Sequence, residues 1–310
     1  MSYNQAMERF GSDKPDVRYD YEIKNISKEF NIDTKQIRLI KLPQLSSKLS
    51  SNQLKAFGEQ GKAVDTEAKL RLIRITSENI NNWFKLDSIL STSELNNVNN
   101  KEIICSKLNE LNGVQVGDVI GIEVKDKDNR HNGGWTSLGR LRIDYVQLGI
   151  SQGWIERSLE DKFLWIVDFP LFELEEGIYK STHHPFTSPK AEDLKYLLNE
   201  PEKVRGDHYD LVLNGQEIGG GSLRIHDSDL QKFILTHHLK LSPHQLNQFH
   251  HLLTNLNYAC PPHGGIALGL DRLMSILCDS SSLRDVIAFP KTNLGQDLMV
   301  GSPSTLEKQV

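Results

Sequence analysis

Two acids and one arginine carry the strongest chemical suggestion in this sequence. Asp210 and Glu217 stand on either side of Asn214-Gly215, and Asn-Gly between apolar runs is the strongest short-range hairpin signal. With a two-residue turn, Leu213 faces Gln216, Val212 faces Glu217 and Asp210 faces Gly219. The two acids then become diagonal neighbours on one face, about 7–8 Å apart at their Cα atoms. Carboxylates so placed repel unless a cation lies between them, and an all-oxygen set near a phosphate site points to Mg²⁺. A pair of solvated acids is the plainer alternative, and the hairpin alone leaves both open. Further along, Asp271 and Arg272 open the run Leu273, Met274, Ile276, Leu277, spaced for one face of a helix. An acid suits a helix start. A cation there opposes the macrodipole by roughly 0.3–1 kcal/mol, so Arg272 calls for an anion, and a phosphate suits a guanidinium. A lone arginine is commonly just solvated. The stretch ahead of it, Gly264 to Leu270, alternates glycine with apolar residues, reads as a buried strand approached by a backbone or flat ligand, and favours the phosphate.

Gly219, Gly220 and Gly221 sit in a strand context, where each glycine costs on the order of 0.5–1 kcal/mol. A flat platform for a base or small substrate explains them, as does a β-bulge. Arg224 follows; the glycines interrupt the alternation, so its face cannot be derived, although it could clamp a carboxylate. His183-His184 lacks partners at zinc spacing and reads as a loop, one ring toward the site and the other structural. His237-His238 and His250-His251 read as surface or boundary residues.

The elements that must position these groups occupy a chain of 310 residues, long enough for two domains, with 38% hydrophobic and 25% charged residues. This is the composition of a soluble globular protein, and no apolar run approaches a membrane span. A net charge of −5 argues against a nucleic-acid coat protein but not against a local basic face. Three cysteines without C-x-x-C spacing point to a reducing compartment. Tyr3–Phe10 reads as a short helix before a turn-rich loop, GSDKPDVRYD. A block from about 37 to 148 carries strands at Ile37–Leu42 and Leu70–Thr76 and helices at Gln53–Gly61 and Lys101–Leu111. A loose excursion is expected over Asn79–Asn100, and Val114–Glu123 leads into further β-rich chain. Leu164–Phe172 reads as one strand, HHPFTSPK (183–190) as a loop, Asp193–Asn199 as a short helix, and Asp227–Leu239 and Ser242–Asn257 as amphipathic helices. Strands meeting helices across one sheet imply an α+β catalytic core, antiparallel or mixed.

HHPFTSPK, DLVLNGQEIGGGSLRIHD, PPHGGIALGLDRL and RDVIAFPK, in this order, resemble the C-terminal catalytic half of class II aspartyl-tRNA synthetases of the bacterial and mitochondrial type. AMERFGSDKPDVR resembles the stretch just after that family's motif 2. The likeness is strong from 164 to 300 and weak from 37 to 148. It implies an antiparallel class II core in two parts (1–36 and 151–310) around an inserted GAD-like domain (37–150). It also implies motif 3 at Gly269, Leu270, Asp271 and Arg272, with Arg272 on the ATP phosphates. Glu217 would bind ATP through Mg²⁺ with Asp210 as its partner, and His183 and Arg224 would hold aspartate. Gly219, Gly220 and Gly221 would floor the adenylate pocket. The expected cofactors are ATP and Mg²⁺, and the expected partners aspartate and tRNA(Asp). No membrane association is implied, and the family's homodimer is doubtful here because motif 1 is not in the sequence. Motif 2 is absent too, so the chain by itself is expected to activate little aspartate. The mitochondrial matrix is the expected compartment, with bacterial cytoplasm the alternative. A non-catalytic nucleotide- or RNA-binding paralogue and a subunit of a split synthetase are the competing readings.

Overall fold

The computed structural model describes residues 1–30, 32–83, 101–127, 134–175 and 177–303. In chain order the named elements are α1 (Tyr3–Arg9), β1 (Lys24–Asn25), β2 (Lys35–Leu42), α2 (Leu45–Lys48), α3 (Ser51–Lys62), β3 (Lys69–Arg74), α4 (Lys101–Asn112), β4 (Val119–Asp126) and α5 (Ser137–Ser151). There follow β5 (Phe163–Val167), β6 (Phe172–Glu175), β7 (Ile178–Ser181), β8 (His208–Leu213), β9 (Gln216–Leu223), α6 (Ser228–Phe233), α7 (Pro243–Gln248), α8 (His250–Asn257), β10 (Gly264–Leu268) and α9 (Leu270–Leu277). No helix among the described residues is long and apolar enough to cross a membrane.

Two four-stranded antiparallel sheets organise the chain, ordered β1-β2-β4-β3 and β10-β9-β8-β5. In the first, alternate residues of β2 and β4 feed two cores. Ile37, Leu39, Ile122 and Val124 pack with Phe30 and Leu108. Ile40, Leu42 and Val119 pack on the other side with Leu54, Leu138 and Tyr145. Ile26 and Phe30 belong to the first of these cores, and β1 pairs with β2. In the second sheet Ile166 and Val212 pack under α1 against Tyr3, Ala6 and Met7.

Several expected elements differ. The single strand over 164–172 is broken at Asp168, whose φ of 61° ends β5 and turns Phe169 inward. The chain after β4 is not all β-rich: Thr136 accepts from the Gly139 amide at 3.0 Å and starts α5, whose Leu138, Leu141 and Tyr145 recur at helical spacing and are buried. The helix expected over 242–257 starts as foreseen, with Ser242 and Gln245 in a capping box, but divides at Phe249, which packs edge-on against Phe186. The helix over 227–239 passes into a π-turn at Ile234–His238, which brings His238 inward among Phe172, Tyr179 and Phe233; it is buried, not a boundary residue. The excursion expected over 79–100 lies largely outside the described residues.

Candidate functional site on the second sheet

Asn214 and Gly215 take φ values of 53° and 82°, the left-handed pair of a two-residue hairpin turn. The register beyond the turn corrects the expectation. Leu213 faces Gln216 and Val212 faces Glu217, but Leu211 then faces Gly219 and Asp210 faces Gly220. Ile218 is the extra residue of a bulge. Asp210 and Glu217 nevertheless share a face. A Cβ built on Gly220 would lie 2.5 Å from Asp210 Oδ1 and 3.3 Å from Glu217 Oε1, so both carboxylates lean over a space that only glycine leaves open. The other two glycines serve a different purpose. A Cβ on Gly221 would sit 1.9 Å from Gly265 O, and one on Gly219 2.7 Å from the Leu268 side chain. These two make room for β10, and only Gly220 opens toward the acids.

The strand expected to be buried, β10, is an exposed edge strand along its whole length, because no neighbour among the described residues covers it. Gly269 follows as the N-cap of α9, its amide donating to Ile218 O at 2.8 Å. That bond fixes the helix mouth beside the hairpin. Asp271 lies exposed in the first turn. Arg272 is half-exposed and turns back: Nη1 donates to Glu217 O at 2.9 Å and lies 3.3 Å from Glu217 Oε2. In water such a pair contributes about 0–1 kcal/mol, weak enough for a phosphate and a cation to replace it.

At the other end of β8, His208 is buried and lies 2.8 Å from Asp210 through Nε2. The His183 ring stacks on it at 4.0 Å and 19°. Partial burial, then His208, push the His183 imidazole below its ordinary range, against the pull of Asp210. His184 instead accepts from the Phe186 amide at 3.3 Å and shapes the loop; burial and then Arg224 push it down as well. Arg224, next to this loop through the Thr187 bridge, has an Nη1 that is buried and finds no acceptor among the described residues. The face that alternation cannot assign is thus the face of the loop histidines.

Asp13 is not singled out by the sequence. Its loop follows Gly11, whose oxygen accepts from the Thr136 amide at 2.9 Å, and its own amide donates to Gly134 O at 3.1 Å. Burial raises the Asp13 carboxyl, Lys14 opposes this, and the Asp210 charge adds to the rise. Its Oδ1 pairs with Lys14 Nζ at 3.0 Å. The signal lies inside GSDKPD, where a turn explains every residue type. Concavities between α3 and β3, lined by Lys62, Leu70 and Arg71, gather no comparable set.

Residues 1–293 match the sequence model of "tRNA synthetases class II (D, K and N)". The chain belongs to this family. It is 39% identical to the mitochondrial aspartate–tRNA ligase of Dictyostelium discoideum, over 99% of this chain and 46% of that protein. The mitochondrial aspartate–tRNA ligase of Schizosaccharomyces pombe is 38% identical over the whole chain and 50% of its own length. The aspartate–tRNA(Asp/Asn) ligase of Opitutus terrae is 37% identical over 98% and 51%. The chain therefore spans about half the length of the curated relatives it matches. The solved aspartyl tRNA synthetase of Entamoeba histolytica aligns with 84% of this class II chain and 44% of its own, at 16% identity and a TM-score of 0.35. The α+β class II assignment rests on the family match and the antiparallel sheets.

Proposed function

We propose that this chain carries aspartate–tRNA ligase chemistry: L-aspartate and ATP form aspartyl-adenylate and pyrophosphate, and the aspartyl group then passes to the terminal adenosine of tRNA(Asp). The observation that carries this reading is the buried, unpartnered Nη1 of Arg224 beside His183, on the sheet that also presents Asp210, Glu217 and Arg272. A buried guanidinium donor without an acceptor suits a side-chain carboxylate. A neutral amide could accept from Nη1 but would leave the guanidinium charge uncompensated, and an ammonium would be repelled, which disfavours asparagine and lysine, the other substrates of this family group. Asp13, whose Oδ1 already holds the Lys14 ammonium at 3.0 Å, suits the substrate's ammonium in the same way.

In the activation step a substrate carboxylate oxygen attacks the α-phosphorus, and the bond to pyrophosphate breaks in line. Arg272 neutralises charge gathering on the phosphates, and His183 and Arg224 hold the nucleophile in place. The carboxylates above Gly220 fit Mg²⁺, which takes one or two protein carboxylates and completes its shell with phosphate and water; no larger His, Cys, Asp or Glu cluster occurs among the described residues. Mg²⁺ bound there would supply further charge neutralisation. Gly269, Leu270 and Asp271 form the motif-3 helix mouth in this reading. The proposed division is a class II core interrupted by the first sheet's unit as a GAD-like insertion. The mitochondrial matrix is the proposed compartment and bacterial cytoplasm the alternative, since relatives of both kinds match at similar identity.

Calorimetric titration tests the substrate assignment. L-aspartate should bind in preference to L-asparagine and L-lysine, and Arg224→Gln should weaken it by about tenfold or more, the size of a lost charged hydrogen bond. Preference for asparagine or lysine, or full aspartate affinity in the variant, would overturn it.

A further inference from the structure

His208 has no part in the reading above, yet it touches two of its groups. We propose that His208 is a positioning residue that fixes the His183 ring through its face and the Asp210 carboxylate through its edge, a proposal that rests on the ligase reading of those two residues.

The geometry is a column of rings. His183 lies 4.0 Å from the His208 centroid at 19°, and Phe169 lies 4.2 Å away at 32°. Two rings at that distance cannot share one face, so His208 is held between them. Phe169 also meets Tyr3 at 5.1 Å, which roots the column in α1. The backbone beside it is clamped: Lys190, the last residue of the HHPFTSPK loop, pairs with Asp168 at 2.9 Å and with Asp207 at 3.3 Å, the neighbours of Phe169 and His208. A phenylalanine at 208 could supply the flat face. Only a ring with an in-plane nitrogen also reaches Asp210, at 2.8 Å. The second ring nitrogen, Nδ1, is buried without a partner among the described residues, an unfavourable arrangement that packing alone does not account for. Imidazole is tolerated here because face and edge are both used.

Two variants of the full chain separate the functions. His208→Phe keeps the stacking face and removes the edge donor; His208→Gln keeps an amide donor and removes the ring. Proton NMR of His183 reads the stack, and water relaxation with Mn²⁺ as the probe reads the carboxylates. His183 ring signals should stay shifted by the neighbouring ring in His208→Phe and lose that shift in His208→Gln. Mn²⁺ affinity should fall about fivefold in His208→Phe and stay within about twofold in His208→Gln, the scale of one hydrogen bond. An unmoved His183 signal in His208→Gln, unchanged Mn²⁺ affinity in His208→Phe, or both readouts lost together in each variant at unchanged thermal midpoint would overturn the proposal. If the unmodified chain bound neither L-aspartate nor Mn²⁺, the ligase reading would fail, and the His183 signals would still decide whether His208 holds that ring.

Discussion

The two four-stranded sheets use the same antiparallel pairing and come to opposite ends. In the first, β4 is buried at seven of its eight positions and apolar residues are covered on both faces. In the second, one face is covered by α1, while Trp165, Leu223, Ile266 and Leu268 on the other remain 45–61% exposed and β10 is open throughout. Every candidate chemical group except Asp13 is carried by the less covered sheet or by the loop and helix joined to it. The closed sheet supplies rigidity, and its α5 seats the Asp13 loop. Stability and chemistry are thus housed separately, and the second sheet leaves apolar surface in water on the face opposite Asp210 and Glu217.

Three perturbations sharpen this contrast. The largest effect is expected in the closed sheet. Arg38 and Glu123 face each other across β2 and β4 as a fully buried ion pair, with Glu123 also accepting from the Leu138 amide at 3.2 Å and Arg38 donating to Met7 O at 3.4 Å. Glu123→Gln leaves a buried guanidinium without its counter-charge, and denaturant unfolding should record a loss of about 3–5 kcal/mol. A loss below about 1 kcal/mol, the scale of an exposed pair, would mean that this core is not closed. Next comes the open sheet's inner seam. Gly221→Ala drives a Cβ into Gly265 O and should cost about 1–3 kcal/mol, whereas Gly265→Ala, with nothing within 4 Å, should be near neutral. Equal midpoints for the two variants would break the claim that β9 and β10 pair this closely.

The smallest effect is a pH dependence confined to the open half. Burial is the first cause lowering His183, His184 and His238. Their folded forms resist protonation, so the unfolded chain binds protons first as pH falls. Their contribution to stability is complete above the ordinary histidine range near about 6.5 and is lost as pH drops below it. Thermal midpoints measured from about pH 8 down to about pH 5, the span over which histidine changes charge, should therefore decline, and His238→Phe should flatten part of the decline. A midpoint rising with acid over that window would reverse the assignment.

What can be read from the sequence follows the same division. Strand and helix positions in the first unit are legible because β2, β3 and α3 alternate or repeat cleanly. The Asp210–Glu217 face is also legible, through Asn214-Gly215. Sequence and structure part where tertiary contacts override local pattern: Asp168 takes a left-handed φ that no strand propensity signals, and His238 turns inward through a π-turn. Gly264–Leu268 reads as buried because its composition is apolar, but composition cannot report whether a neighbour is there. Asp13 is hidden by a turn motif that explains it too easily.

The bulge at Ile218 has an arithmetic consequence. Glu217 and Arg224 are an odd number of positions apart, so a perfectly regular ribbon would point them in opposite directions. One supernumerary residue reverses the count, bringing the guanidinium round to the same hemisphere as the acid. Excising Ile218 would therefore straighten β9 and leave an even spacing, so the two side chains would keep their common face and only the local bend between them would be lost.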